Sequence, residues 1–288
     1  MGKNKKRLGT KAQIRAIKER ERRLSSMAML AIVLAALLLT SSLIYTYLNP
    51  VQQQTLEKSF GLKAALVDQL SLTFPNKTFV NLATNIVRQA NYTVDYYAGE
   101  NVTVELYANL AKLGYKLIIF RVHSSATGID STTDSVVLFT SEPVSETAHI
   151  REQLMEQLVA VAYSNDDMVK KREFFGITPK FVSQLMNGQL QNCTIIMMGC
   201  EGLGNTQMAE AFVEKGAKAY IGWNDTVSAA RTDAATYYLL LQLFREGVTI
   251  KQAVYATATR FGTDDFQFDN RLDFFPHSAG REVVLEEG

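Results

Sequence analysis

Short apolar runs alternate with longer amphipathic stretches along most of the chain. Runs rich in β-branched and large apolar residues predict strands at 64–72, 91–97, 116–122, 135–140, 194–199 and 219–223. Apolar positions at helical spacing predict helices over 77–89, 102–113, 150–163, 207–215, 227–245 and 249–261, and a further helix that begins at Pro179. This alternation is typical of a mostly parallel sheet with helices on both faces. We therefore predict an α/β fold, a three-layer sandwich, for residues 62–288.

The longest apolar segment precedes this domain. Residues 27–48 contain no charged side chain, and as a helix they would be about 33 Å long, enough to cross a hydrocarbon core of about 30 Å. A secretory signal peptide is the alternative, but its apolar region usually has only about 7–15 residues and ends in small residues. Tyr45 and Tyr47 favour a transmembrane helix, because aromatic rings prefer the membrane interface.

Charge divides the chain at the same place. Residues 1–26 carry ten basic side chains and two glutamates, a net charge of +8, so the rest of the chain carries −7 of the total of +1. Basic flanks stay on the cytoplasmic side of a membrane. We therefore predict a single-pass cell-membrane protein with a cytoplasmic tail (1–26), a transmembrane helix in contact with lipid (27–48), a stem (49–61) and an extracytoplasmic domain (62–288). The basic tail is expected to contact anionic lipid, and no nucleic-acid partner is expected.

Two predicted strands end at side chains that suit catalysis. His123 follows the strand at 116–122, and Cys200 follows the strand at 194–199. Because the carboxyl ends of parallel strands meet at one edge of a sheet, an imidazole and a thiol would lie there together. A nearby base favours the nucleophilic thiolate, so the pair predicts a cysteine hydrolase with a depressed pKa at Cys200. The alternative is that Cys200 is a small buried residue and His123 an ordinary loop histidine.

No metal or cofactor site is apparent in the sequence. Cys193 and Cys200 bracket a predicted strand, so roughly 20 Å of extended chain separates them and excludes a disulfide between them. The three histidines and two cysteines show no metal-ligand spacing. The glycine-rich segment 202–207 lacks the pattern of a phosphate-binding loop. We therefore expect neither a metal nor a cofactor.

Three segments of the predicted domain resemble a known superfamily. GYKLIIFRVHSS (114–125) contains His123, CTIIMMGCEGLG (193–204) contains Cys200, and 208–254 reads as a helix, a glycine turn, a short strand near a tryptophan and a long helix. In these features the domain resembles the caspase-like cysteine peptidases, which include caspases, gingipains, separases and CHAT domains. The resemblance implies a caspase-like sheet and an endopeptidase that acts on a protein or peptide substrate through a Cys–His dyad.

The resemblance also implies a set of substrate-binding residues. Asp225 follows the strand after the cysteine, where the family often places specificity residues, and an acidic group there would bind Lys or Arg; the alternative is a cap of the next helix. Asp68, at the end of the first strand, could line the same cleft. Gly199 permits close approach of substrate, whereas Ser124 stands where the family usually has a glycine that leaves room for oxyanion binding. The alternative functions are therefore a catalytically inactive caspase-like domain that binds a peptide or cell-envelope partner, and a structural surface protein.

Overall fold

The chain divides into two compact units, residues 1–60 and 61–288. In the computed structural model, the described residues are 62–126, 135–164, 172–262 and 270–284, positions 167 and 170, and scattered positions between 15 and 41. The described residues of the first unit are helical, and within the described part of the chain no helix is both long and apolar enough to span a membrane. Most of the predicted tail and span, and the whole predicted stem at 49–61, lie outside the described residues.

The described part of the second unit contains two sheets. The strands are β1 (Leu62–Asp68), β2 (Tyr92–Ala98), β3 (Leu117–Arg121), β4 (Ser124–Ser125), β5 (Val137–Pro143), β6 (Leu158–Val161), β7 (Phe174–Ile177), β8 (Cys193–Met197), β9 (Ala217–Trp223) and β10 (Leu272–Phe275). The larger sheet has the order β2-β1-β3-β8-β9-β10, in which β10 alone is antiparallel to its neighbour. The prediction of an α/β fold with a mostly parallel sheet is confirmed.

Helices cover both faces of the six-stranded sheet. They are α1 (Lys77–Gln89), α2 (Val104–Asn109), α4 (Pro179–Leu185), α5 (Gln207–Glu214), α6 (Ala229–Leu243) and α7 (Ile250–Phe261), whereas α3 (Ile150–Leu154) lies next to β6 of the smaller sheet. Because side chains alternate across a strand, Ile118 and Phe120 belong to the core formed with α2, α4 and α5, whereas Leu117 and Ile119 belong to the core formed with α1, α6 and α7. Two hydrophobic cores therefore enclose the strands whose ends carry the candidate site.

The smaller sheet is an insertion between β3 and β8. Its four strands are antiparallel in the order β4-β5-β7-β6, and β4 begins immediately after His123. The helix predicted over 150–163 is wrong beyond its first part, since α3 ends at Leu154 and β6 follows. Glu156 has a positive φ of 54°, which interrupts the helix, and the apolar run of β6 pairs with β7. The short strands β4, β7 and β10 were not predicted either.

Candidate functional site

His123 and Cys200 lie at the same edge of the six-stranded sheet. β3 and β8 are neighbouring parallel strands in which Phe120 stands opposite Met197, and each candidate residue follows three positions later. The hydroxyl of Ser124 donates a hydrogen bond of 2.5 Å to the backbone carbonyl of Cys200. The structure therefore brings the two candidate catalytic segments into direct contact.

Residues from two other parts of the chain hold the backbone and the imidazole of His123. Its Nε2 lies 3.0 Å from Oγ1 of Thr73, and its backbone N–H donates to Oε1 of Gln69 at 3.0 Å. Both partners belong to the segment that follows β1. From the inserted sheet, the ring of Tyr163 stacks on the imidazole with centroids 5.6 Å apart, and Phe139 lies at 6.0 Å. These contacts fix the orientation of the ring.

The imidazole is neutral at pH 7. Burial and, to a smaller extent, repulsion by the Arg121 guanidinium lower the pKa of His123 from 6.5 to about 4. A neutral imidazole can accept a proton from a neighbouring acid. His123 is therefore better suited to act as a general base than to form an ion pair with a thiolate.

The thiol of Cys200 is protonated at neutral pH. It is half-buried and donates to the backbone carbonyl of Val227 at 3.4 Å. Burial raises the pKa of Cys200, and the carboxylates of Glu201 and Asp225 raise it further. The expected depressed pKa is therefore wrong, because a neutral imidazole supplies no positive charge to offset burial. Cys193, at the start of β8, is a second free thiol.

Gly199 and Ser124 are in close contact next to Cys200. A Cβ atom on Gly199 would lie 2.5 Å from the carbonyl oxygen of Val122 and would also collide with Oγ of Ser124. Only glycine fits without movement of the backbone. Ser124 is buried and its hydroxyl is used by the Cys200 carbonyl, so it joins the two segments instead of presenting a hydroxyl to substrate.

Asp225 lies next to the turn that carries Cys200. Its backbone carbonyl accepts a hydrogen bond from Glu201 N–H at 3.0 Å, and Glu201 in turn accepts from Ala126 N–H at 2.6 Å. Oδ1 of Asp225 accepts from the adjacent Thr226 N–H at 2.6 Å. The helix-cap interpretation is wrong, because the side chain that caps α6 is Ser228. Asp225 is half-buried, so part of its surface remains open at this edge of the sheet.

Asp68 belongs to a buried ion-pair cluster beneath the site. Arg121 donates through Nη1 to Asp68 at 2.7 Å, and through Nε and Nη2 to the two carboxylate oxygens of Asp233 at 2.7 and 2.8 Å. The other oxygen of Asp68 accepts from the Tyr96 hydroxyl at 2.9 Å. Asp68 is fully buried, so the expectation that it lines an open cleft is wrong. A buried carboxylate needs such partners, because burial removes it from bulk water.

The same arginine fixes the loop that holds His123. Nη2 of Arg121 donates to the carbonyl of Phe74 at 2.8 Å, one residue after Thr73. Sequence reasoning missed Arg121, Thr73, Gln69 and Tyr163. A charge at the end of an apolar strand was a usable signal for Arg121, because a buried guanidinium requires counter-charges. Nothing local marks the other three, which reach His123 from the segment after β1 and from the insertion.

No protein-family model matches the chain, and no curated protein is significantly similar to it. Within the described ranges, no group of three His, Cys, Asp or Glu side chains is placed to hold a metal ion. The groups that the site does contain are a protonated thiol, a neutral imidazole on the neighbouring strand and a half-buried carboxylate. This set suits nucleophilic attack on an acyl group.

Proposed function

We propose that the second unit is a caspase-like cysteine endopeptidase domain with Cys200 as nucleophile and His123 as general acid and base. One observation carries the proposal: two adjacent parallel strands place these residues at equivalent positions, and the Ser124 hydroxyl bonds the two segments together. Adjacent strands that end in histidine and cysteine are the arrangement that the resemblance implies. The site also lies at the carboxyl edge of the sheet, where open α/β folds bind ligands.

The proposed reaction begins from a neutral pair. Sγ of Cys200 forms a bond to the carbonyl carbon of the scissile peptide while His123 accepts the thiol proton. The imidazolium then donates that proton to the leaving amine, and a thioester remains on the enzyme. Water, deprotonated by the neutral His123, hydrolyses the thioester and regenerates the thiol. Because the thiol pKa is raised and the imidazole pKa is lowered, proton transfer accompanies the attack instead of preceding it.

Asp225 supplies the proposed specificity for basic substrates. Its backbone carbonyl bonds to the Cys200 turn, and its carboxylate is near enough to Cys200 to raise the pKa of the thiol. An arginine side chain could form two parallel charge-assisted hydrogen bonds with this carboxylate. Full-length protein in detergent micelles, assayed with a peptide library, should cleave next to Lys or Arg. Cys200→Ser should abolish cleavage, and Asp225→Asn should reduce it by about ten- to a hundredfold for basic peptides only. A library that stays intact with the wild-type protein would contradict the proposal.

A binding module is the second candidate function. It is favoured by the hydrogen bond between His123 and Thr73 and by the raised pKa of Cys200, since both leave the pair unactivated in this structure. In that case the domain would bind a peptide or cell-envelope partner at the same edge of the sheet. Peptide binding that persists in Cys200→Ser, with no cleavage by the wild-type protein, would decide for this function.

The proposed location is the cell membrane, with residues 27–48 in contact with lipid and the second unit outside the cytoplasm. Support comes from the charge-free apolar segment and its basic flank. Protease added to sealed cells should digest the second unit and spare the tail at 1–26. Protection of the second unit in sealed cells, with digestion after lysis, would contradict this orientation.

A further inference from the structure

Two large exposed apolar side chains flank Thr73, the hydrogen-bond partner of His123. Leu72 is 42% exposed and Phe74 is 54% exposed. The ring of Phe74 meets the imidazole edge-on, with centroids 6.0 Å apart, and Thr73, between the two, is the hydrogen-bond partner of His123. We call Leu72 and Phe74 the apolar rim. Through Phe74 the rim adjoins the candidate site.

The backbone under the apolar rim is fixed. The N–H groups of Thr73 and Phe74 both donate to the carbonyl of Leu70, at 3.1 and 2.7 Å. Arg121 donates to the carbonyl of Phe74 at 2.8 Å and is itself held by two buried carboxylates. A fixed backbone that leaves apolar side chains in water is preorganised for a ligand, since little ordering is needed on binding.

We propose that the apolar rim is a specificity site, which takes a large apolar side chain of an extended peptide close to the scissile bond. The position next to a scissile bond rests on the proposed function, whereas binding of the apolar side chain does not require cleavage. The charged groups beneath the loop, Arg121, Asp68 and Asp233, are buried and paired, so they present no charge to the rim. Apolar surface of this kind selects an apolar ligand group.

The size of the rim favours a peptide over a protein interface. Two side chains match one aromatic or branched side chain, whereas stable interfaces between proteins bury about 1,200–2,000 Å². Continuity with His123 places the ligand chain beside the thiol-bearing strand end. The preference at the rim would act together with the proposed basic preference at Asp225, at a different position of the same peptide.

The test measures peptide binding to full-length Cys200→Ser protein in detergent micelles. Labelled peptides that differ only in Phe, Ala or Lys at one position are titrated, and the Phe peptide should bind about tenfold or more tightly than the Ala peptide. Phe74→Ala should remove that difference. Leu82→Ala, at a leucine of α1 that is 41% exposed, should leave it unchanged. Circular dichroism of each variant verifies that it is folded.

The outcomes separate this inference from the proposed function. Equal affinity for the three peptides, or a preference that survives Phe74→Ala, overturns the apolar site. Phe74-dependent binding without cleavage by protein that retains Cys200 supports the apolar site and contradicts the peptidase. Cleavage without any apolar preference supports the peptidase and contradicts the apolar site. Self-association that Phe74→Ala abolishes, again without peptide preference, would assign the rim to a contact between copies and overturn the proposal.

Discussion

Replacement of Arg121 by methionine should strongly destabilise the second unit. The guanidinium is fully buried and makes charge-assisted hydrogen bonds of 2.7–2.8 Å with Asp68 and Asp233, and one of 2.8 Å with the carbonyl of Phe74. Its removal would leave two buried carboxylates without a counter-charge. Loss of one partner from a buried ion pair typically costs about 3–5 kcal/mol. For a unit of this size, that cost corresponds to a melting temperature lower by about 6–20 °C.

Denaturant unfolding followed by tryptophan fluorescence measures this effect, because Trp223 is the single tryptophan and is buried. The control is Lys180→Met, which breaks an ion pair of 2.5 Å with Glu156 on the surface and should cost less than about 1 kcal/mol. An Arg121→Met protein within about 1 kcal/mol of wild type would refute the reasoning, because it would mean that water reaches the cluster and screens it.

Three further predictions concern the residues at the strand ends. The folded-state pKa of His123 lies below its unfolded value, so the free energy of unfolding should fall by at most about 3 kcal/mol as the pH drops from about 6.5 to about 4. Unfolding measured across that pH range should show no such slope in His123→Gln. Iodoacetamide should label Cys200 slowly at pH 7 and Cys193 more slowly still, because burial raises the pKa of both thiols; rapid labelling of Cys200 at pH 6 would contradict this. Gly199→Ala should lower the free energy of unfolding by at least about 1–3 kcal/mol. The cost should exceed that of Gly222→Ala, where the nearest atoms to a new Cβ lie at 3.4 Å, and equal costs would disprove the proposed clash.

The central sheet was predictable from local pattern. The buried strands β3 and β8 read as continuous apolar runs, and such runs between helical segments identify a parallel sheet. That inference also placed His123 and Cys200 at one edge. Of the inserted sheet, only β5 was predicted. Strand β6 was not, because it has only four residues and follows a helical segment, and it is stabilised as a strand by its pairing with β7. Tertiary pairing there outweighs the local helical pattern.

The positions of the site residues were predictable from the sequence, but their ionisation states were not. The sequence indicates which side chains reach the strand ends, whereas pKa values depend on burial and on neighbours from distant segments. His123 is enclosed by Tyr163 and Phe139 from the insertion and lies near Arg121, and this enclosure makes it neutral. Asp68 shows the same limit, since its role depends on Arg121, which is 53 positions away in the chain.

The hydrogen bond from Ser124 to the Cys200 carbonyl closes a small ring of contacts around the site. Ser124 is joined covalently to His123, and Ala126 bonds to Glu201, so two short segments, 122–126 and 199–201, are connected by two direct bonds. A shift of either strand end would therefore carry the other with it. For protein engineering, the two segments constitute one transferable module, and a graft onto another pair of adjacent parallel strands must carry Ser124 and Gly199 as well as the histidine and the cysteine.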